Sequence, residues 1–156
     1  MPLLRAALGW NYVLVTALCG SFLAQFIKVI LNLFIFHRFI PERMWGAGGM
    51  PSSHSATVCA MVVATGRYCG VSSPTFAIAA VLSIIVMYDA MGVRYETGEQ
   101  AKVLNQMIAQ WIDVSEKNAP FLQNMHLKEM VGHTPLQVLA GFLVGVLVGF
   151  LYPMGV

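Results

Sequence analysis

An all-α protein embedded in a membrane is the fold class this sequence predicts, and three observations predict it. Hydrophobic residues make up 58% of the 156-residue chain and charged residues 10%, whereas an ordinary soluble domain is about a quarter charged. Mean hydropathy is +0.71. The apolar residues fall into four runs separated by Gly, Pro, Ser and charged residues, a pattern that fits a bundle of about four transmembrane helices. The chain therefore reads as a single membrane domain, 1–156, with spans near 12–36, 53–68, 75–91 and 134–152 and a polar insert over 95–132. A net charge of +2 without a basic run interleaved with aromatics excludes nucleic acid as a partner. Cys19, Cys59 and Cys69 are odd in number, lack CxxC spacing and lie in or beside apolar runs, so they read as small buried hydrophobes.

The first span, Tyr12 to Phe36, is long enough to cross a hydrocarbon core of about 30 Å at about 1.5 Å per residue. It also exceeds the apolar core of a cleavable leader and contains Gln25, Lys28 and Asn32, which argues against a signal peptide. Ser21, Gln25, Lys28 and Asn32 recur at steps of four, three and four, so they share one helical face that must turn inward. A lysine within a span costs ~2.5–3.5 kcal/mol on insertion scales, which points to an anionic partner inside the membrane; snorkelling to the interface is the alternative.

After a short loop with Arg38, Glu42 and Arg43 comes Gly48-Gly49-Met50-Pro51-Ser52-Ser53-His54-Ser55-Ala56, a glycine-led turn entering an apolar helix. Here the glycines allow close approach of a ligand, Pro51 pre-sets the turn, and Ser52 or Ser53 caps the helix. Free amides at a helix start favour an anion. The second helix, about Ser53 to Tyr68, is short for a full span, which would set His54 in a recess. Gly70-Val71-Ser72-Ser73-Pro74 makes the next turn, and the third span, Thr75 to Met91, ends at Asp89 beside Tyr88, with Gly92 and Arg94 following.

In the polar insert, Thr97-Gly98-Glu99-Gln100 has a capping-box pattern, and Leu104, Met107, Ile108, Trp111 and Ile112 follow at helical spacing. This predicts an amphipathic helix lying on the bilayer interface or closing over a cavity. A loop is expected from Asn118 to Met125, and one more helical turn from Leu127 to Val131. The last span begins at His133-Thr134-Pro135-Leu136-Gln137, with Thr134 as N-cap, Pro135 at the first helical position and Gln137 completing a capping box. Gly141, Gly145 and Gly149 form a ladder that lets another helix pack closely and leaves room for a homo-oligomer.

Two histidines thus stand at two helix starts, with Lys28 and Arg94 to neutralise charge. That set suits phosphate or a related oxyanion. Phosphoryl transfer asks for little more than an in-line nucleophile, neutralised equatorial oxygens and a proton for the leaving group. No HExxH or acidic cluster appears, so no metal and no cofactor is expected.

Pro51-Ser52-Ser53-His54 resembles the PSGH motif of the type 2 phosphatidic acid phosphatase and vanadium haloperoxidase superfamily, and His133 to Gly141 resembles its closing HYPSDVLAG segment. With Gly49-Met50 before the first motif and Tyr88 to Arg94 between the two, the chain is similar to that superfamily's divergent bacterial branch of small membrane proteins, from Gln25 onward. The resemblance implies His133 as the nucleophile that becomes phosphohistidine and His54 as the acid that protonates the leaving alcohol. It further implies that Lys28, Ser52, Ser53 and Arg94 bind phosphate.

Several positions depart from the family pattern. Ile35 stands where the family has an Arg-Pro pair, Ser53 replaces the glycine of PSGH, and Leu127 occupies the third-motif arginine position, leaving Arg94 or Lys128 to supply that charge. Gln137 replaces the aspartate that orients the nucleophile. An amide accepts the imidazole N–H but cannot offset its charge, so Asp89 or Glu129 would have to take that part.

The loops after the first and third spans hold Arg38, Arg43, Arg94, Lys102, Lys117 and Lys128, against Arg5 and Arg67 elsewhere. Six against two puts the site side in the cytoplasm. The expected function is a membrane-embedded, metal-independent phosphatase-like enzyme for a lipid or isoprenoid phosphate or diphosphate, integral to a bacterial cytoplasmic membrane, with membrane lipids and a lipid phosphate substrate as its partners. The alternative is a non-catalytic binder or transporter of anionic lipid head groups that uses the same phosphate site.

Overall fold

The structure, a computed structural model, describes residues 11–36, 49–114, 125–129 and 131–154. Among the described residues five helices follow one another: α1 (Tyr12–Phe36), α2 (Ser53–Cys69), α3 (Pro74–Met91), α4 (Val93–Val114) and α5 (Pro135–Leu151). The protein is an all-α membrane protein, and no strand occurs among the described residues. Tyr12–Phe34 and the stretch Pro74–Trp111 are long and apolar enough to cross a membrane, and Pro135–Leu151 is apolar but shorter.

The central element is α2, on which α1, α3 and α5 all pack, with α1 also touching α5. Its sequence explains the position. Ser55, Ala56, Cys59, Ala60, Ala64 and Thr65 are buried on it, and such small side chains let neighbouring backbones approach closely. Gly141 and Gly145 of α5 lie against the carbonyls of Ser52 and Ala56, where any Cβ would collide with backbone. The glycine ladder is thus consumed within the chain and gives no support to self-association. By contrast, the large apolar residues point outward: Phe22 and Phe26 on α1, Ile78 and Ile84 on α3, Leu143 and Leu147 on α5 are all exposed to the bilayer side.

The caps of α2, α3 and α5 fall where turn chemistry predicts. Ser52 accepts from the Ser55 amide, Ser73 from the Phe76 amide, and Thr134 and Gln137 form a complete capping box. Pro51 stands one residue before the Ser52 cap, outside the helix. At the far end of the bundle Arg67 closes α5, its Nη1 donating to the carbonyls of Gly149, Phe150 and Tyr152 at 2.7, 3.0 and 2.9 Å.

Two expectations about the insert are corrected. Thr97 does not begin a helix: α4 starts at Val93, directly after a break at Gly92, and the Thr97 hydroxyl donates to the Val93 carbonyl at 2.7 Å from within the helix. Glu99, the middle of the supposed capping box, accepts from Lys102 at 2.6 Å instead. Nor do residues 127–129 and 131 form a helical turn. The Asn105 side chain takes both backbone groups of Leu127, accepting from its amide at 3.0 Å and donating to its carbonyl at 2.9 Å, which leaves neither for a helix. The expected loops at 37–48 and 118–124 lie outside the described residues.

Candidate functional site

Lys28 is placed by the small residues that precede it on α1. Ala17, Gly20 and Ala24 bring that face hard against α2, and Lys28 follows one turn later on the same face, 1% exposed. Ser21, Gln25 and Asn32 of the predicted polar stripe flank it and are half-buried. The Lys28 stem runs beside Gly49, whose φ of +91° lies in the region that favours glycine. A buried ammonium calls for a counter-charge, since an ion removed from water without one is costly.

The turn after Gly49 delivers His54 into the first turn of α2, exposed at the mouth. The Ser52 amide donates to the Gln137 carbonyl at 3.0 Å, which ties the start of α2 to the start of α5. That bond removes Ser52 N–H from the donors expected for an anion; its hydroxyl, which accepts from Ser55 Oγ at 3.1 Å, keeps its own proton. The backbone donors left to this helix start are the amides of Ser53 and His54, which precede the first intrahelical bond.

His133 sits on the other side, 2% exposed. Its amide donates to the Ala90 carbonyl at the end of α3 at 3.0 Å. Its Nδ1 is 3.2 Å from Gln137 Oε1, and the Thr134 amide donates to the same oxygen at 3.2 Å. Its Nε2 is buried with no hydrogen-bond partner among the described residues. The His54 and His133 rings lie 6.2 Å apart between centroids. Burial pushes the His133 imidazole below its ordinary value; the Gln137 hydrogen bond pulls the other way, and the charges of Lys28, His54 and Arg94 lower it further.

The structure thus brings Lys28, His54, His133 and the Ser52-Ser53 turn to one end of the bundle, with Arg94 near enough for its charge to act on His133. It does not bring Asp89 to His133. Arg94 Nε donates to Asp89 Oδ2 at 2.5 Å in a half-exposed pair, and Glu129 accepts from Asn105 at 2.8 Å, so neither acid is the one that faces Nδ1. Lys128 is exposed on the short segment that Asn105 holds. The start of α5 also has fewer free amides than expected. Its capping box uses those of Thr134 and Gln137, and Pro135 has none. Among the described residues no three His, Cys, Asp or Glu side chains gather as a metal-binding group.

Sequence reasoning missed Asn105. Gly98, Ala101 and Asn105 share one face of α4, and Gly98 and Gly132 allow the segment that carries Glu129 and Gly132 to run close along it, just before His133. The signal was a face of small and polar residues opposite the apolar one.

The sequence model of the Divergent PAP2 family matches residues 10–148, which include every residue of this site. The chain belongs to the Divergent PAP2 family. Another protein similar to it, the uncharacterized membrane protein YuiD of Bacillus subtilis (strain 168), is 35% identical over 143 residues, covering 88% of this chain and 90% of that protein. No solved structure matches at a significant level. Membership in the Divergent PAP2 family relates the chain to phosphatases, and both helix starts that meet at the site lie within the matched residues.

Proposed function

We propose that the protein is a membrane-embedded phosphatase that transfers the phosphoryl group of a lipid or isoprenoid phosphate or diphosphate to His133 and then to water. The observation that carries this reading is the buried Nε2 of His133, unpartnered among the described residues, beside His54 and at the same end of the bundle as the buried Lys28. The Nε2 lone pair attacks phosphorus as the bond to the leaving oxygen breaks, and His54, open to the mouth, gives that oxygen its proton. Lys28, Arg94, the Ser53 and His54 amides and the Ser52 hydroxyl offset the charge on the equatorial oxygens. Water then attacks the phosphohistidine, restoring Nε2. The alkyl tail lies among the exposed apolar side chains of the helices, and the excess of Arg and Lys in the sequence after the first and third spans supports a cytoplasmic orientation in a bacterial membrane.

One observation favours a second reading. An amide, not a carboxylate, faces His133 Nδ1, and an uncompensated imidazolium disfavours turnover while leaving anion binding intact. A non-catalytic carrier of anionic head groups would use the same site. Phosphate release by the detergent-purified protein from lipid, isoprenoid and soluble phosphates, with a His133→Ala control, tests the choice. Release lost in the control supports the enzyme; no release from any substrate, with lipid phosphate still bound, supports the carrier.

A further inference from the structure

We propose that Gln137 is a positioning residue that fixes the tautomer of His133, holding the ring proton on Nδ1 and leaving a lone pair on the buried Nε2. The argument is one of donors and acceptors. A backbone N–H can only donate, so the Gln137 atom 3.2 Å from the Thr134 amide is the oxygen end of its side-chain amide. The same oxygen lies 3.2 Å from His133 Nδ1. An amide oxygen only accepts, so Nδ1 must carry the proton, and a neutral imidazole has just one. The lone pair therefore falls on Nε2, the atom with no partner among the described residues. Burial keeps the ring neutral, and the capping box holds Gln137 in place by giving its oxygen a second, backbone donor.

The choice of an amide has a chemical consequence that deepens the phosphatase reading and rests on it. Attack by Nε2 makes an N–P bond and breaks the bond from phosphorus to the leaving oxygen, while Nδ1 keeps its proton and the ring becomes cationic. A carboxylate at Nδ1 would balance that charge; Gln137 does not. The phosphohistidine is then short-lived: water attacks phosphorus, the N–P bond breaks, its electron pair returns to Nε2, and the water proton passes to His54. Little covalent intermediate accumulates in the wild type, and Gln137→Glu, which preserves the capping box, lets more accumulate.

The tautomer is read without turnover, by nitrogen NMR of the full chain labelled in its histidine rings, in detergent micelles above the ordinary imidazole range, with His133→Ala identifying the His133 signals. A protonated Nδ1 and an unprotonated Nε2 are expected in the wild type and in Gln137→Glu. Gln137→Leu, checked for folding by size exclusion, should move the proton to Nε2. Gln137→Glu should also raise the pH at which His133 titrates by at least about one pH unit. A wild-type ring protonated on Nε2 overturns the proposal, as does a folded Gln137→Leu protein with the wild-type tautomer. If Gln137→Leu fails to fold, an unmoved titration in Gln137→Glu overturns it. Absence of phosphate release together with the Nδ1–H tautomer removes the enzyme reading alone.

Discussion

The starts of α2 and α5 carry one histidine each, yet they are built in opposite ways. At α2 the histidine is inside the first turn and exposed, the cap is a single serine, and the amides of Ser53 and His54 stay free. At α5 the histidine precedes the cap and is buried, the capping box consumes the Thr134 and Gln137 amides, and the ring is anchored through both its backbone N–H and its Nδ1. One start leaves its ring and two amides open; the other is closed on itself and holds its ring in place. Similar sequence signals, a hydroxyl cap and a nearby proline, therefore serve different ends, and what separates them is the residue three places after the cap. Ser55 reaches back only to Ser52, whereas Gln137 reaches both the Thr134 amide and the His133 ring.

The sharpest way to break this contrast is to remove each ring in turn. His133→Ala should reduce phosphate release to the level without enzyme. His54→Ala should lower it by roughly 10²–10⁴, with much of the loss recovered on an aryl phosphate whose leaving group needs no proton; equal loss on both substrates would deny His54 the part of acid. Lys28→Met, which keeps the buried stem, should weaken inorganic phosphate binding by roughly 10- to 150-fold, the worth of a charged hydrogen bond, measured by calorimetry in detergent. The pH profile should separate the rings as well. Because burial holds His133 below the ordinary imidazole value, it stays neutral and nucleophilic above about pH 6.5, so the acid limb of kcat/KM should begin below that pH and fall about tenfold per pH unit. A limb above it would mean that His133 is held protonated. The smallest effect concerns the caps: Thr134→Ala should cost ~0.5–2 kcal/mol by thermal unfolding in detergent, and no less than Ser52→Ala, since it undoes a two-bond capping box.

Much of the fold was legible because membrane helices announce themselves by apolar length, and their ends by Ser, Thr, Pro and Gly. Helices α1, α3 and α5 start within a residue of their predicted positions. What could not be read was the role of α2. Its length marked it only as short for a full span, whereas its alanines and serines place it at the centre of the bundle; outward-facing helices need apolar side chains and a central one needs small ones. In the site, the residues with motif signals, Lys28, His54 and His133, converge. Asp89, considered as a stand-in for the aspartate that Gln137 replaces, does not face His133, because Arg94, five residues on, takes its carboxylate. Asn105 escaped notice because the small, polar face that carries it names no partner, and that partner lies 22 residues away.

The bond from the Ser52 amide to the Gln137 carbonyl, next to the crossing of Gly141 beneath the Ser52 carbonyl, also bears on biogenesis. Lys28 lies on α1, His54 on α2 and His133 just before α5, and a ribosome releases them in that order. A nascent chain that has inserted α1, α2 and α3 exposes Lys28 and His54 without His133 beside them. Helix α5 must slide its glycines under α2 before the His133 ring is seated, so assembly of the bundle and completion of the candidate site are the same event.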